Sequence, residues 1–338
     1  MAESALDQIV NDLRSSGSKY FPQHSEVKTA RVVGHTPKPD HYTYEIVLDF
    51  PDASERVNAK LYRGKNGSRS PQDSALREAQ KLQFAHDTAQ RRGLTGVPRP
   101  IGDFAELGAV VSTKINGLPL QSIIMKAALL PGDGNHQLLE TAAKQAGEWL
   151  QRFHRASTAM STPLDGASVL SEMERLCARA QKDGLPPEST AAILSKAKTT
   201  LGRQKRPLRS SALLHDFIPL NILVDDDGIG FCEFAALSEQ GLSLLDAAKF
   251  LAAVEALEKY PFCNRHITSR VQDAFLEAYG VIAQEMPLLE TLKMKVLLQM
   301  FAQGRVIKES AERKKVMWAN VMQRFLQHAA ERSAARVA

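Results

Sequence analysis

The chain reads LLHDFIPLNILVDDDGIGFCEF over residues 213–234. Two apolar runs in this stretch flank Asp225-Asp226-Asp227-Gly228, a turn-forming sequence whose glycine tolerates the backbone angles that a tight reversal needs. Residues 221–234 are therefore expected to fold as a short β-hairpin. Just ahead of it, Asp216 and Asn221 stand five residues apart across a loop that contains Pro219. An acid and an amide so spaced can serve a chemical site, or can merely cap a turn.

On the N-terminal side, Leu6, Ile9, Val10 and Leu13 recur at helical spacing, so a short amphipathic helix is expected over 5–14. Residues 27–33, 42–50 and 56–62 then alternate β-branched and aromatic residues with polar ones, broken by turns at 37–40 and 50–52. Three antiparallel strands follow. A Gly/Ser/Asn loop over 64–70 leads to a helix over 74–92, ended by Gly93, and two more short strands are expected within 97–104 and 109–115. Asn116-Gly117-Leu118-Pro119 reads as a hinge. Beyond it the pattern is helical over 137–156, 167–182, 187–201, 244–257, 267–279 and two long stretches in 287–330, with the hairpin as the one interruption. The expected fold class is α+β with two lobes. Residues 1–115 would form a small antiparallel sheet with one long helix, and residues 116–338 a larger, mostly helical lobe.

A chain of 338 residues suits two such lobes, and its 43% hydrophobic and 24% charged content is that of an ordinary globular protein rather than a disordered or fibrous one. No run of 18 apolar residues occurs, and Glu3, Asp7 and Asp12 stand where a signal peptide would be basic, so a cytoplasmic protein without a transmembrane segment is expected. Cys177, Cys232 and Cys263 lie far apart without a CxxC pair and are expected to be reduced core residues. The net charge of +5 is scattered, which calls for no nucleic-acid partner. It also argues against a polycationic ligand, which would need an acidic pocket.

Leu214-His215-Asp216-Phe217-Ile218-Pro219-Leu220-Asn221-Ile222-Leu223-Val224 resembles the HGDFxPxNILV loop of the aminoglycoside phosphotransferase and choline kinase-like family, itself similar to the catalytic loop of protein kinases. The resemblance implies a protein-kinase-like fold and an ATP-dependent phosphotransferase that uses Mg²⁺. Asp216 would orient the acceptor hydroxyl and take its proton, and Asn221 would bind the metal through its amide oxygen. Twelve residues past Asn221, Phe231-Cys232-Glu233-Phe234 occupies the place of the family's Ile-Asp-Phe triplet, so the expected metal ligand is Glu233 in place of aspartate. The loop departs from the pattern a second time: Leu214 holds the family's histidine position and His215 its glycine position. His215 would either crowd the backbone there or brace the loop.

In the N-terminal part, Val57-Asn58-Ala59-Lys60-Leu61-Tyr62 resembles the third kinase strand, whose lysine holds the nucleotide phosphates. The resemblance makes Lys60 a cofactor-binding residue and Glu78, eighteen residues on, its carboxylate partner. Gly34 would contact phosphate through its backbone in a loop, residues 34–41, that lacks a GxGxxG pattern. His154 is expected to be a packed helix-end residue, and Asp246 to brace the catalytic loop. The implied reaction is transfer of the γ-phosphoryl of ATP to a hydroxyl of a small molecule, a sugar, glycan or amino-alcohol. The alternative is a pseudokinase that keeps the fold and binds nucleotide without turnover.

Overall fold

The computed structural model describes residues 4–64, 69–129, 136–159, 161, 163–260, 263–304, 321 and 323–331. They form two compact units, one of Met1–Asn116 with Gly230–Ala236, the other of Gly117–Ile229 with Leu237–Ala338. The short segment Gly230–Ala236, expected with the second part, groups with the first unit.

The first unit begins with helix α1 (Ala5–Ser15), opened by a reciprocal cap in which Ser4 Oγ accepts the Asp7 N–H while the Asp7 carboxylate accepts the Ser4 N–H. One turn, α2 (Gly17–Tyr20), follows. The strands β1 (Thr29–Pro37), β2 (His41–Asp49), β3 (Ser54–Tyr62) and β4 (Ala109–Thr113) make an antiparallel sheet in that order. Between β3 and β4 lies α3 (Pro71–Gln90), which starts ahead of the expected residue because Ser70 caps it and Pro71 supplies its first-turn proline.

Side chains alternate across β3. Val57 and Ala59 enter a core with Ile9, Leu13, Phe21, Ile46, Leu48 and Val111, which places Asn58, Lys60 and Tyr62 on the opposite face. The strand expected within 97–104 does not form. Pro98 and Pro100 lack N–H donors and Gly102 takes a φ of +62°, so only the Pro100–Ser112 bridge remains before a 3-10 turn at Ala105–Leu107. The sheet therefore has four strands, not five.

The second unit opens with β5 (Leu118–Pro119) and α4 (Leu120–Leu129), the latter unforeseen in the sequence reading. Helices α5 (His136–Ala156), α6 (Gly166–Lys182) and α7 (Pro187–Arg203) lead to β6 (Ser210–Leu213). The hairpin follows as β7 (Ile222–Asp225) and β8 (Gly228–Phe231), shorter than expected at its far end. Strand β9 (Ser238–Leu242) pairs with β6, and helices α8 (Leu244–Glu255), α9 (Arg265–Tyr279) and α10 (Met286–Gly304) complete the labelled elements. Residues 323–331 are helical, whereas the part of the expected C-terminal helices over 305–320 lies outside the described residues.

A core of Met173, Cys177, Ile193, Leu297, Phe301 and Leu326 holds α6, α7 and α10 together. At Gly117, φ is +120° and a Cβ would lie 2.7 Å from the Val224 carbonyl oxygen, so glycine alone lets β5 pair with β7. Of the cysteines only Cys177 is buried. Cys232 is exposed and Cys263 half-buried, because Phe231 and Phe234 take the inward positions beside Cys232. Among the described residues no helix is long and apolar enough to cross a membrane.

Candidate active site

In the first unit, Lys60 projects from β3 toward α3, where its Nζ donates to Glu78 Oε1 at 2.6 Å. Its Nζ also meets both oxygens of Glu233, at 3.2 and 3.4 Å. Glu78 is buried and accepts a second hydrogen bond at Oε2 from the Tyr62 hydroxyl, two residues along the same strand face. Glu233 is anchored through its Oε1 by the N–H of Ala235, whose carbonyl in turn accepts from Lys81 Nζ at 2.6 Å. Burial disfavours the Lys60 charge, but the two carboxylates outweigh it and hold the ammonium pKa above its usual value.

His41 shares this sheet face, directly across from Tyr62 in the β2–β3 register. Burial and then the Lys60 charge hold its imidazole below the ordinary histidine range, although Asp40 Oδ1 lies 2.9 Å from Nδ1. Gly34 does not sit in a loop. It is a strand residue of β1 beside a bulge in which Val33 is the extra residue opposite β2, and a Cβ on it would meet nothing within 4 Å. The reversal is a tight turn instead, closed by Lys38 N–H donating to the His41 carbonyl.

In the second unit, the loop 214–221 hangs from a single carboxylate. Asp246 is fully buried in the first turn of α8, where the helix dipole favours an anion. It accepts the backbone N–H of Leu214 at 2.7 Å and of His215 at 2.8 Å. His154, at the end of α5, places Nε2 3.2 Å from the same carboxylate and Nδ1 2.9 Å from the Tyr279 hydroxyl. His154 is thus a packed residue that helps hold Asp246.

His215 has a φ of +62°, the left-handed region that glycine occupies without cost, and its Nε2 lies 2.9 Å from Ser238 Oγ. It therefore both bears the backbone cost and braces the loop onto β9. Phe217 is buried and stacks on Trp149 at 5.7 Å. The Asn221 amide nitrogen donates to the Asp216 carbonyl at 2.9 Å, closing the loop across the five residues.

A model of the phosphotransferase enzyme family (APH) matches residues 56–232, more than half of the chain. The chain belongs to this family. The phosphotransferase also shares its fold with solved structures at low identity. A glucosamine kinase in complex with glucosamine, ADP and inorganic phosphate superposes with a TM-score of 0.53 at 14% identity, covering 94% of this chain and 98% of that one. For spectinomycin phosphotransferase APH(9)-Ia, with ADP and spectinomycin, the TM-score is 0.53 at 14% identity, over 96% and 97%. An amicoumacin kinase, hAmiN, in complex with AMP-PNP, Ca²⁺ and Ami gives 0.52 at 14%, over 87% and 88%. No curated protein matches the sequence significantly. The fold is the α+β protein-kinase-like fold, with the antiparallel sheet and α3 preceding the larger helical part.

The phosphotransferase brings Lys60, Glu78 and Glu233 together in one unit, and orders Asp216 and Asn221 on one loop of the other. Sequence reasoning passed over Tyr62 and His41. Their positions on the Lys60 face were signalled only by the period of two along β3 and by the β2–β3 register. Among the described residues no group of three or more His, Cys, Asp or Glu side chains could hold a metal unaided. The Glu233 carboxylate in the first unit and the Asn221 amide in the second each offer hard oxygen of the kind Mg²⁺ takes alongside water and phosphate oxygens.

Proposed function

We propose that this phosphotransferase is a cytoplasmic, ATP-dependent kinase that transfers the γ-phosphoryl group to a hydroxyl of a sugar or glycan-type alcohol. The observation that carries the reading is the 2.6 Å ion pair of Lys60 with the buried Glu78, which fixes a flexible ammonium in one position as phosphate binding requires. Residues 1–115 would bind the nucleotide and residues 116–338 the acceptor.

In this reading Lys60 holds the α- and β-phosphates and Glu78 holds Lys60. Asp216 orients the acceptor hydroxyl and takes its proton as the oxygen attacks phosphorus. Asn221 and Glu233 hold Mg²⁺, which when bound neutralises charge on the phosphates. Catalysis comes from positioning and charge neutralisation, with no covalent protein intermediate. A sugar acceptor is supported by the glucosamine bound in one structural neighbour, and by a net charge of +5 that disfavours polycations.

A second reading, a nucleotide-binding module without turnover, has one observation in its favour: Glu233 stands in for aspartate and is engaged by Lys60. A phosphate-transfer assay over a panel of sugars and amino-alcohols separates the two. The kinase predicts turnover that Asp216→Ala lowers by about 10²–10⁴-fold. Nucleotide binding without transfer to any acceptor would leave only the second reading, and transfer indifferent to Asp216→Ala would remove Asp216 from the chemistry.

A further inference from the structure

We infer that Glu233 is a latch on Lys60 which a divalent cation must release before nucleotide can bind tightly; the inference rests on the reading of Lys60 as the phosphate-binding residue. An ammonium has three N–H groups. Here Nζ meets Glu78 Oε1 at 2.6 Å and both oxygens of Glu233 at 3.2 and 3.4 Å. A phosphate approaching Lys60 therefore competes with a carboxylate already in place, and like charge opposes its approach.

The two carboxylates are not equivalent. Glu78 is 9% exposed and tied on its other oxygen to Tyr62, so it is the more firmly held partner of Lys60. Glu233 is 28% exposed, its contacts to Lys60 are longer, and its other hydrogen bond comes from a neighbouring backbone N–H. Glu233 is the partner that can leave. A divalent cation, stronger in field than an ammonium and matched to hard oxygen, draws it away and in the same event frees Lys60 donors for phosphate.

The latch depends on side-chain length. Aspartate at this position would fall about 1.5 Å short, one carbon–carbon bond, and would leave Lys60 with Glu78 alone. Metal and nucleotide binding are thus coupled, each raising the affinity for the other by the same factor.

The test is equilibrium binding of ADP to the full chain, with EDTA and with Mg²⁺, for wild type, Glu233→Asp, Glu233→Gln and Lys60→Ala. ADP transfers no phosphoryl group, so the readout is independent of turnover. Wild type should bind ADP at least about tenfold more weakly in EDTA than in Mg²⁺, the lower part of the usual range of coupling between sites. Both Glu233 variants should bind metal-free ADP several-fold more tightly than wild type. Glu233→Asp is decisive, because it keeps the charge and removes only the reach. If it binds metal-free ADP no more tightly than wild type while Lys60→Ala weakens binding, the latch is wrong and the phosphate role of Lys60 stands. ADP affinity unchanged by Lys60→Ala under every condition would overturn that role and the latch together, as would an absence of ADP binding by every form.

Discussion

The Asp246 carboxylate accepts the backbone N–H of His215 at 2.8 Å from a position with no exposed surface. With the Leu214 N–H on its other oxygen, this one side chain satisfies two consecutive backbone donors at the root of the loop. Asp246→Ala removes the acceptor of both, together with that of His154 Nε2, and should destabilise the protein by about 3–5 kcal/mol. Asp246→Asn, which keeps one acceptor, should lose less. Urea unfolding followed by circular dichroism checks the order, and an alanine variant as stable as wild type would contradict it.

The left-handed backbone at His215 carries a cost of about 1–2 kcal/mol for any residue with a Cβ. The Ser238 contact returns about 0.5–1.5 kcal/mol. His215→Gly removes both terms and should leave stability within about 1 kcal/mol of wild type. His215→Ala removes only the bond and should be the less stable of the two. A reversed order in denaturant unfolding would show that the left-handed backbone carries no such cost, and His215→Ala as stable as wild type would show that the bond to Ser238 does not brace the loop.

Helices α5 and α9 touch closely at Gly147, where a Cβ would lie 2.5 Å from the Phe275 carbonyl oxygen and 3.0 Å from the Tyr279 amide nitrogen. Gly147→Ala gains about 1 kcal/mol of helix propensity but forces two backbones apart, at a cost of about 1–3 kcal/mol. A net loss of thermal stability is expected. Since Tyr279 also supports His154, the proposed phosphotransfer should be more temperature-sensitive in the variant than in wild type.

Both ring nitrogens of His24 face carboxylates, Nδ1 at 3.1 Å from Asp52 and Nε2 at 3.0 Å from Glu55. Only the imidazolium can donate to both, and the hydrogen bonds to Glu55 and then Asp52 raise its pKa above 6.5. A raised histidine pKa contributes stability that is complete below the unfolded value and is lost as pH rises through the folded one. The midpoint of thermal unfolding should therefore fall as pH rises above 6.5 through the raised folded value in wild type, and fall less in His24→Gln. Equal slopes would show that His24 does not titrate with folding.

Where neighbours in sequence are neighbours in space, the sequence was legible. The alternation along β2 and β3, the helix carrying Glu78 and the turn at Asp225–Gly228 all rest on local periods of two or 3.6 and on turn residues. The helix Leu120–Leu129 was missed although Leu120, Ile124, Ala127 and Ala128 are buried at helical spacing, because the outward Leu129 and half-buried Ile123 and Met125 blur so short a stripe. The pairing of Ser210–Leu213 with Ser238–Leu242 is long-range and leaves no local mark. Of the candidate site, the motifs named individual residues but not all of the contacts among them. That one lysine is shared between Glu78 and Glu233, 173 positions from Lys60, depends on how far a glutamate reaches, which periodicity cannot report.

The segment Gly230–Ala236 belongs to the first unit although the chain makes it long after Asn116. At about 5–20 residues per second, synthesis of residues 117–229 takes on the order of ten seconds. A nascent sheet and α3 can meet in that interval, with Lys60 beside Glu78 and no Glu233 yet in existence. The newborn lobe would thus spend its first moments outside the ribosome with its lysine unclaimed by the second acid.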